Sequence, residues 1–79
     1  MLEELRTASK VVGVKQLRKA LSAGAVKTVY LAADADPALT QPLIAQCKQE
    51  CITVVRVESM EKLGAACEIS VPAAAAAIV

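Results

Sequence analysis

The residues best suited to chemistry in this sequence stand just after Gly13. Lys15, Gln16 and Lys19 project from the first turns of what reads as a helix, and Gly13 leaves the helix start without side-chain bulk. Backbone N–H groups at such a start can meet phosphate oxygens. Lysine donates to guanine O6 and N7, and glutamine can bond to base edges. The pattern suits a helix start that enters a widened nucleic-acid groove. Charge distribution points the same way. Residues 1–30 carry Arg6, Lys10, Lys15, Arg18, Lys19 and Lys27 against Glu3 and Glu4, a net of +4, whereas residues 31–79 carry a net of −3. No acidic residue lies between Lys10 and Lys27, so a basic patch fits on a chain whose overall charge is +1. From charge alone, an ordinary solvated helix face is the simpler account.

Other reactive types argue against catalysis. There is no histidine, so acid–base work at neutral pH would need a tuned carboxylate, lysine or cysteine. The chain has no G-x-S-x-G elbow, no P-loop and no G-x-G-x-x-G. Asp34 and Asp36 lie two apart, but helix capping explains them more simply. Cys47, Cys51 and Cys67 are odd in number and include no C-x-x-C pair. Cys47 and Cys51 are four apart, which on a helix would turn them the same way. The thiols are expected to be packing groups rather than redox or metal centres, so no cofactor, no metal and no enzymatic activity are expected. Tyr30 is the only aromatic residue, which argues against single-strand readers that stack bases on a sheet.

These residues need a scaffold, and 79 residues set one domain over 1–79. Apolar residues make up 56% of the chain, so its core must be built from Val, Leu, Ile and Ala. No apolar run approaches the ~20 residues of a membrane span. No hydrophobic signal core follows Met1-Leu2-Glu3-Glu4, and a cytoplasmic protein is expected.

The spacing predicts a first helix over 2–9, then a short edge strand ending at Val11-Val12. A second helix opens at Gly13, with Val14, Leu17, Ala20 and Leu21 as its apolar stripe and Gly24 as its stop. Residues 28–33 read as a buried central strand. Asp36 caps and Pro37 opens the next helical segment, where Pro42 predicts a short turn over 37–41 and a main helix over 42–50. Leu43, Ile44 and Cys47 should face inward. Cys51 stands where glycine or asparagine commonly ends a helix, so a kept turn would force it to positive φ. Residues 52–57 form the next strand, Ser59 caps a helix through about Ala66, and 67–71 form a loop. The tail Ala73–Val79 is divided between helix by alanine propensity and strand by Ile78-Val79. Such alternation gives an α/β protein, a sheet covered by helices on both faces.

Three segments in order carry a family resemblance: Gly13-Val14-Lys15-Gln16-Leu17-Arg18-Lys19, Ala33-Asp34-Ala35-Asp36-Pro37, and Leu63-Gly64-Ala65-Ala66-Cys67. From about Val11 to Val79 the chain resembles the kink-turn-binding L-seven-Ae family, and in length its short, ribosomal-protein-like bacterial versions. The resemblance implies a three-layer α-β-α sandwich with a four-stranded mixed sheet, and makes the tail a strand. It also implies a non-enzymatic protein that recognises a kink-turn by its tandem sheared G·A pairs and three-nucleotide bulge, and stabilises the bent RNA.

In that family the helix after the motif glycine enters the major groove at the G·A pairs, usually with Asn-Glu where this chain has Lys15-Gln16. Lys15 can still donate to guanine O6, the amide oxygen of Gln16 can still accept, and the family lysine is kept as Lys19. Asp36 stands where an acidic residue holds an extruded nucleotide of the bulge. A hydrophobic loop that packs on the bulge corresponds to Cys67–Val71, chiefly Ile69 and Val71 with Ser70 between them. Some members carry a basic residue there; this chain has Glu68 or Val71. The implied RNA-binding set is thus Gly13, Val14, Lys15, Gln16, Lys19, Asp36, Cys67, Ile69, Ser70 and Val71. Other readings stay open: Ile69 and Val71 as core residues, Asp36 as only a cap, Lys15 as a solvated helix start. The implied partner is a structured RNA with a kink-turn, ribosomal or riboswitch, bound by a monomer with no DNA or membrane partner. The alternatives are a small protein–protein interaction module using the same loop, and a thiol redox protein using Cys47 and Cys51.

Overall fold

The computed structural model describes residues 9–79; the predicted first helix, 2–9, lies almost wholly outside them. The remaining order is β1 (Lys10–Val12), α1 (Val14–Ser22), β2 (Thr28–Ala32), α2 (Pro37–Gln49), β3 (Thr53–Val57), α3 (Met60–Ala66) and β4 (Ala75–Ile78). The strands form one mixed sheet in the order β1-β4-β2-β3. β4 is antiparallel to both β1 and β2, and β2 is parallel to β3. The last strand therefore enters the middle of the sheet.

Alternation along the strands divides the core in two. Val29, Leu31, Ala75 and Ala77 face α1 and α2, packing with Leu17, Leu21, Leu43 and Cys47. Tyr30, Ala32, Ala76 and Val57 face the other way, packing with Leu63 and Cys67 around α3. The result is the three-layer sandwich, with two of the described helices on one face and one on the other. Ala75, Ala76 and Ala77 are fully buried. Alanine favours helix in isolation, but here the short side chains let helices approach a central strand from both faces.

The structure corrects the expected break at Pro42. Residues 37–49 form one helix with Pro42 inside it. Thr40, Leu43 and Cys47 are its buried residues and share one face across the proline, so packing outweighs the missing N–H. It also corrects the pairing of Cys47 with Cys51. The helix stops at Gln49, Cys51 lies beyond it at φ 57°, and Cys47 is buried while Cys51 is exposed.

Candidate functional site

Strand directions alone assemble the site. β1 and β2 both run antiparallel to β4, and β3 runs parallel to β2. The C-terminal ends of β1, β2 and β3 and the start of β4 thus share one end of the sheet. Gly13 N donates to Ala75 O at 2.8 Å, Ala32 N to Ala74 O at 3.0 Å, and Ala33 N to Val57 O at 2.7 Å. The three segments singled out in the sequence meet at that end.

The first is the start of α1. Gly13 has φ 102° and ψ 147°, a conformation open to glycine and strained for other residues. Its carbonyl accepts the first helical bond from Leu17 N at 2.9 Å, and among the described residues no side chain caps the first turn. Leu17 and Leu21 are buried and fix the helix to the sheet. Lys15, Gln16, Arg18 and Lys19 are consequently exposed, while Val14 is half-buried. Val14, Lys15, Arg18, Lys19 and Ser22 line one open concavity on this face. Ser22 was missed in the sequence, although its spacing of three from Lys19 puts it on the same face.

The second segment is the loop after β2. Asp36 is exposed and its Oδ1 accepts from Ala38 N at 2.9 Å, capping α2. Capping and a role toward a ligand are compatible for an exposed carboxylate. Asp34 behaves differently: its Oδ1 accepts from Met60 N at 2.7 Å, at the start of α3. Simple capping of its own helix, the expectation for both aspartates, holds for Asp36 alone. No local pattern signals the bond of Asp34, because its partner lies 26 positions away.

The third segment is the loop between α3 and β4. Ser59 Oγ accepts from Lys62 N at 3.1 Å and opens α3 as expected. At the other end Glu68 has φ 62°, Glu68 N donates to Ala65 O at 3.0 Å and Ile69 N to Gly64 O at 3.1 Å. That pair of bonds is the Schellman ending. Ser70 and Val71 are exposed, Val71 by 61%. Ile69 is half-buried against the core that contains Tyr30, so it is partly the core residue allowed for it. Cys67 is corrected outright as a side chain offered to a ligand: it is 2% exposed and packed in the same core. Gly64 positions the loop. A Cβ there would lie 2.2 Å from Val71 O and 3.2 Å from Pro72 Cα, so a larger residue would push the loop off α3.

Burial pushes the Cys67 thiol above its ordinary range, with Lys10 opposing in part. Burial, then Glu50, pushes the Cys47 thiol up. Both groups are therefore neutral thiols near pH 7, poor nucleophiles and poor ligands. Among the described residues no three His, Cys, Asp or Glu side chains are grouped to hold a metal ion, and no helix is long and apolar enough to cross a membrane.

Comparison with known proteins gives the architecture relatives. An RNA-binding protein of Geobacillus sp. (strain WCH70) is 43% identical over 75 residues, 95% of this chain and 92% of that protein. One of Bacillus pumilus (strain SAFR-032) is 46% identical over 70 residues, covering 89% and 85%. Among solved structures, the Giardia lamblia 15.5kD RNA binding protein superposes with a TM-score of 0.88 at 30% identity, covering 98% of this chain and 68% of that one. The sequence pattern of one family matches residues 2–79. The chain belongs to the ribosomal protein L7Ae/L30e/S12e/Gadd45 family.

Proposed function

We propose that this chain binds structured RNA and recognises a kink-turn, holding it in its bent form. The observation that carries the reading is convergence. The glycine-led start of α1, the Asp36 loop and the exposed Val71 lie at one end of one sheet, in a family whose compared relatives are named RNA-binding proteins.

In this reading α1 enters the major groove at the sheared G·A pairs. Lys15 donates to guanine O6 or N7 and Gln16 bonds to a base edge. The first-turn N–H of Val14 meets a phosphate oxygen. Gly13, whose own N–H is held by Ala75 O, leaves that approach free of side-chain bulk, and Lys19 and Arg18 neutralise phosphates along the exposed face. The Asp36 carboxylate accepts from an extruded base of the bulge. Val71, with Ser70 and the exposed part of Ile69, covers that bulge, while Cys67 supports the loop from inside. The role is binding rather than catalysis, needs no cofactor, and belongs to a cytoplasmic monomer whose target is ribosomal RNA, a riboswitch or another structured element.

The test is a titration with three RNAs: a kink-turn, the same RNA with G·A changed to G·C, and a straight duplex. The reading requires tight binding to the first and weak, salt-sensitive binding to the others. Equal affinity for all three would leave a general RNA-binding surface. Binding to none would turn the exposed loop into a protein-docking surface, the competing account.

A further inference from the structure

Two loops of the site are joined through the backbone of a single residue, Met60. Asp34 Oδ1 accepts from Met60 N at 2.7 Å, and Met60 O accepts from Ala73 N at 3.0 Å. Asp34 belongs to the loop that carries Asp36; Ala73 ends the loop that carries Ile69, Ser70 and Val71. Met60 is the first residue of α3. The two bonds form a relay from one loop to the other across the start of that helix. The side-chain bonds of Asp36, Ser59 and Lys62 span at most four positions, whereas the bond of Asp34 spans 26.

From this geometry we infer that Asp34 is a positioning residue for RNA recognition: it fixes the Asp36 loop against the Val71 loop and so sets the width of the opening that receives the bulge. The inference rests on the RNA-binding reading above. The charge of Asp34 strengthens its bond to a backbone N–H and lies at the positive end of α3. Its own loop is also held where Ala33 N donates to Val57 O, where Ala35 N donates to Ala32 O, and where Ala35 is buried in the core around α3. The far loop is held on α3 at Gly64, where Val71 O makes its close approach. Removing the carboxylate releases the near loop from the start of α3 while leaving both cores intact, since Asp34 is exposed and belongs to neither. A site aligned before binding loses affinity when its support is released, even where every contacting group remains.

The test compares Asp34→Ala with Asp34→Asn, whose amide oxygen can still accept from Met60 N. Amide exchange in the free protein reads the relay. Titration with the kink-turn and with straight duplex reads the consequence. For Asp34→Ala the expected result is faster exchange at both Met60 and Ala73. Kink-turn affinity should fall about three- to tenfold, the range of one lost hydrogen bond, with duplex affinity unchanged. Asp34→Asn should restore most of both. Unchanged kink-turn affinity in Asp34→Ala overturns the proposal, as does an equal loss with both RNAs. If Asp34→Ala proves unfolded at the assay temperature, Asp34→Ser, which keeps an oxygen but cannot reach as far, takes its place with the same expected signs. If the unaltered protein binds no kink-turn, the RNA reading fails on its own. The relay is then judged by exchange alone: a change confined to Met60, without Ala73, rejects the coupling of the loops.

Discussion

At the scale of the residue, the site separates groups that read bases from groups that hold phosphates. Lys15 lies in the first turn of α1 and Lys19 one turn farther along the same exposed face. In the proposed complex, Lys15→Ala should cost about 1–3 kcal/mol with a kink-turn and little with plain duplex. Lys19→Ala should weaken both and make the log–log salt slope shallower by roughly one unit. Titrations at several salt concentrations check this; an equal loss with every RNA after Lys15→Ala would reduce the helix start to a phosphate clamp. Asp36 needs a variant that keeps its cap. Asparagine caps about as well as aspartate, so Asp36→Asn should preserve thermal stability while altering kink-turn affinity. A stable variant with unchanged kink-turn affinity would mean that the carboxylate only caps α2.

At the scale of the element, all three described helices end in the same way, and only one does so on glycine. Gly24, Cys51 and Glu68 have φ of 69°, 57° and 62°. In each case the next N–H reaches back five residues: Ala25 to Ala20, Ile52 to Cys47, Ile69 to Gly64. Cys51 is exposed, so its side chain offers little packing in return for the strained backbone. Cys51→Gly should therefore stabilise the fold by about 1 kcal/mol in chemical denaturation. Gly64→Ala should do the reverse. The atom it would strike is backbone, Val71 O, so relief requires moving the loop. A cost of about 1–3 kcal/mol is expected, together with weaker kink-turn binding. A Gly64→Ala protein of unchanged stability and affinity would show that the loop moves freely over α3.

At the scale of the whole molecule, two cores on opposite faces of one sheet each enclose a thiol. Cys47 sits in the core under α1 and α2, and Cys67 in that around α3. Alkylation at neutral pH should thus modify Cys51 first and reach the other two only on unfolding. Mass spectrometry of native and denatured samples reads this directly; rapid native modification of Cys67 would mean that the α3 side opens readily. The same burial has a pH consequence. Folding raises both thiols above their ordinary value of 9.0, so the unfolded chain loses those protons first as pH rises. The stability they contribute is complete below about pH 9 and is lost as pH climbs toward their raised values. Denaturation midpoints should fall above that pH, and fall less in a Cys47→Ala, Cys67→Ala double variant.

Much of the architecture was determined locally and could be read from the sequence. Leu17 and Leu21 fall on one stripe and leave Lys15 and Lys19 outside; Asp36-Pro37 and Ser59 mark helix starts; Cys51 occupies a left-handed helix end. Each depends on neighbours within a turn or two, where spacing and capping chemistry suffice. Tertiary structure decided the rest. Pro42 stays inside a helix because Thr40, Leu43 and Cys47 bury a continuous face across it. The residues of Ala75–Ile78 form a strand because their small side chains fit between two helix layers, a constraint absent from alanine propensity. That strand enters between β1 and β2, and its direction brings the Gly13, Asp36 and Val71 segments to one end of the sheet. Cys67 looked like part of a binding loop and proved to be core, because α3 continues through Ala66 and carries it inward. Asp34 looked like a cap and proved to be a bridge. Its partner is remote in the chain, and a hydrogen bond between distant segments has no sequence period to reveal it.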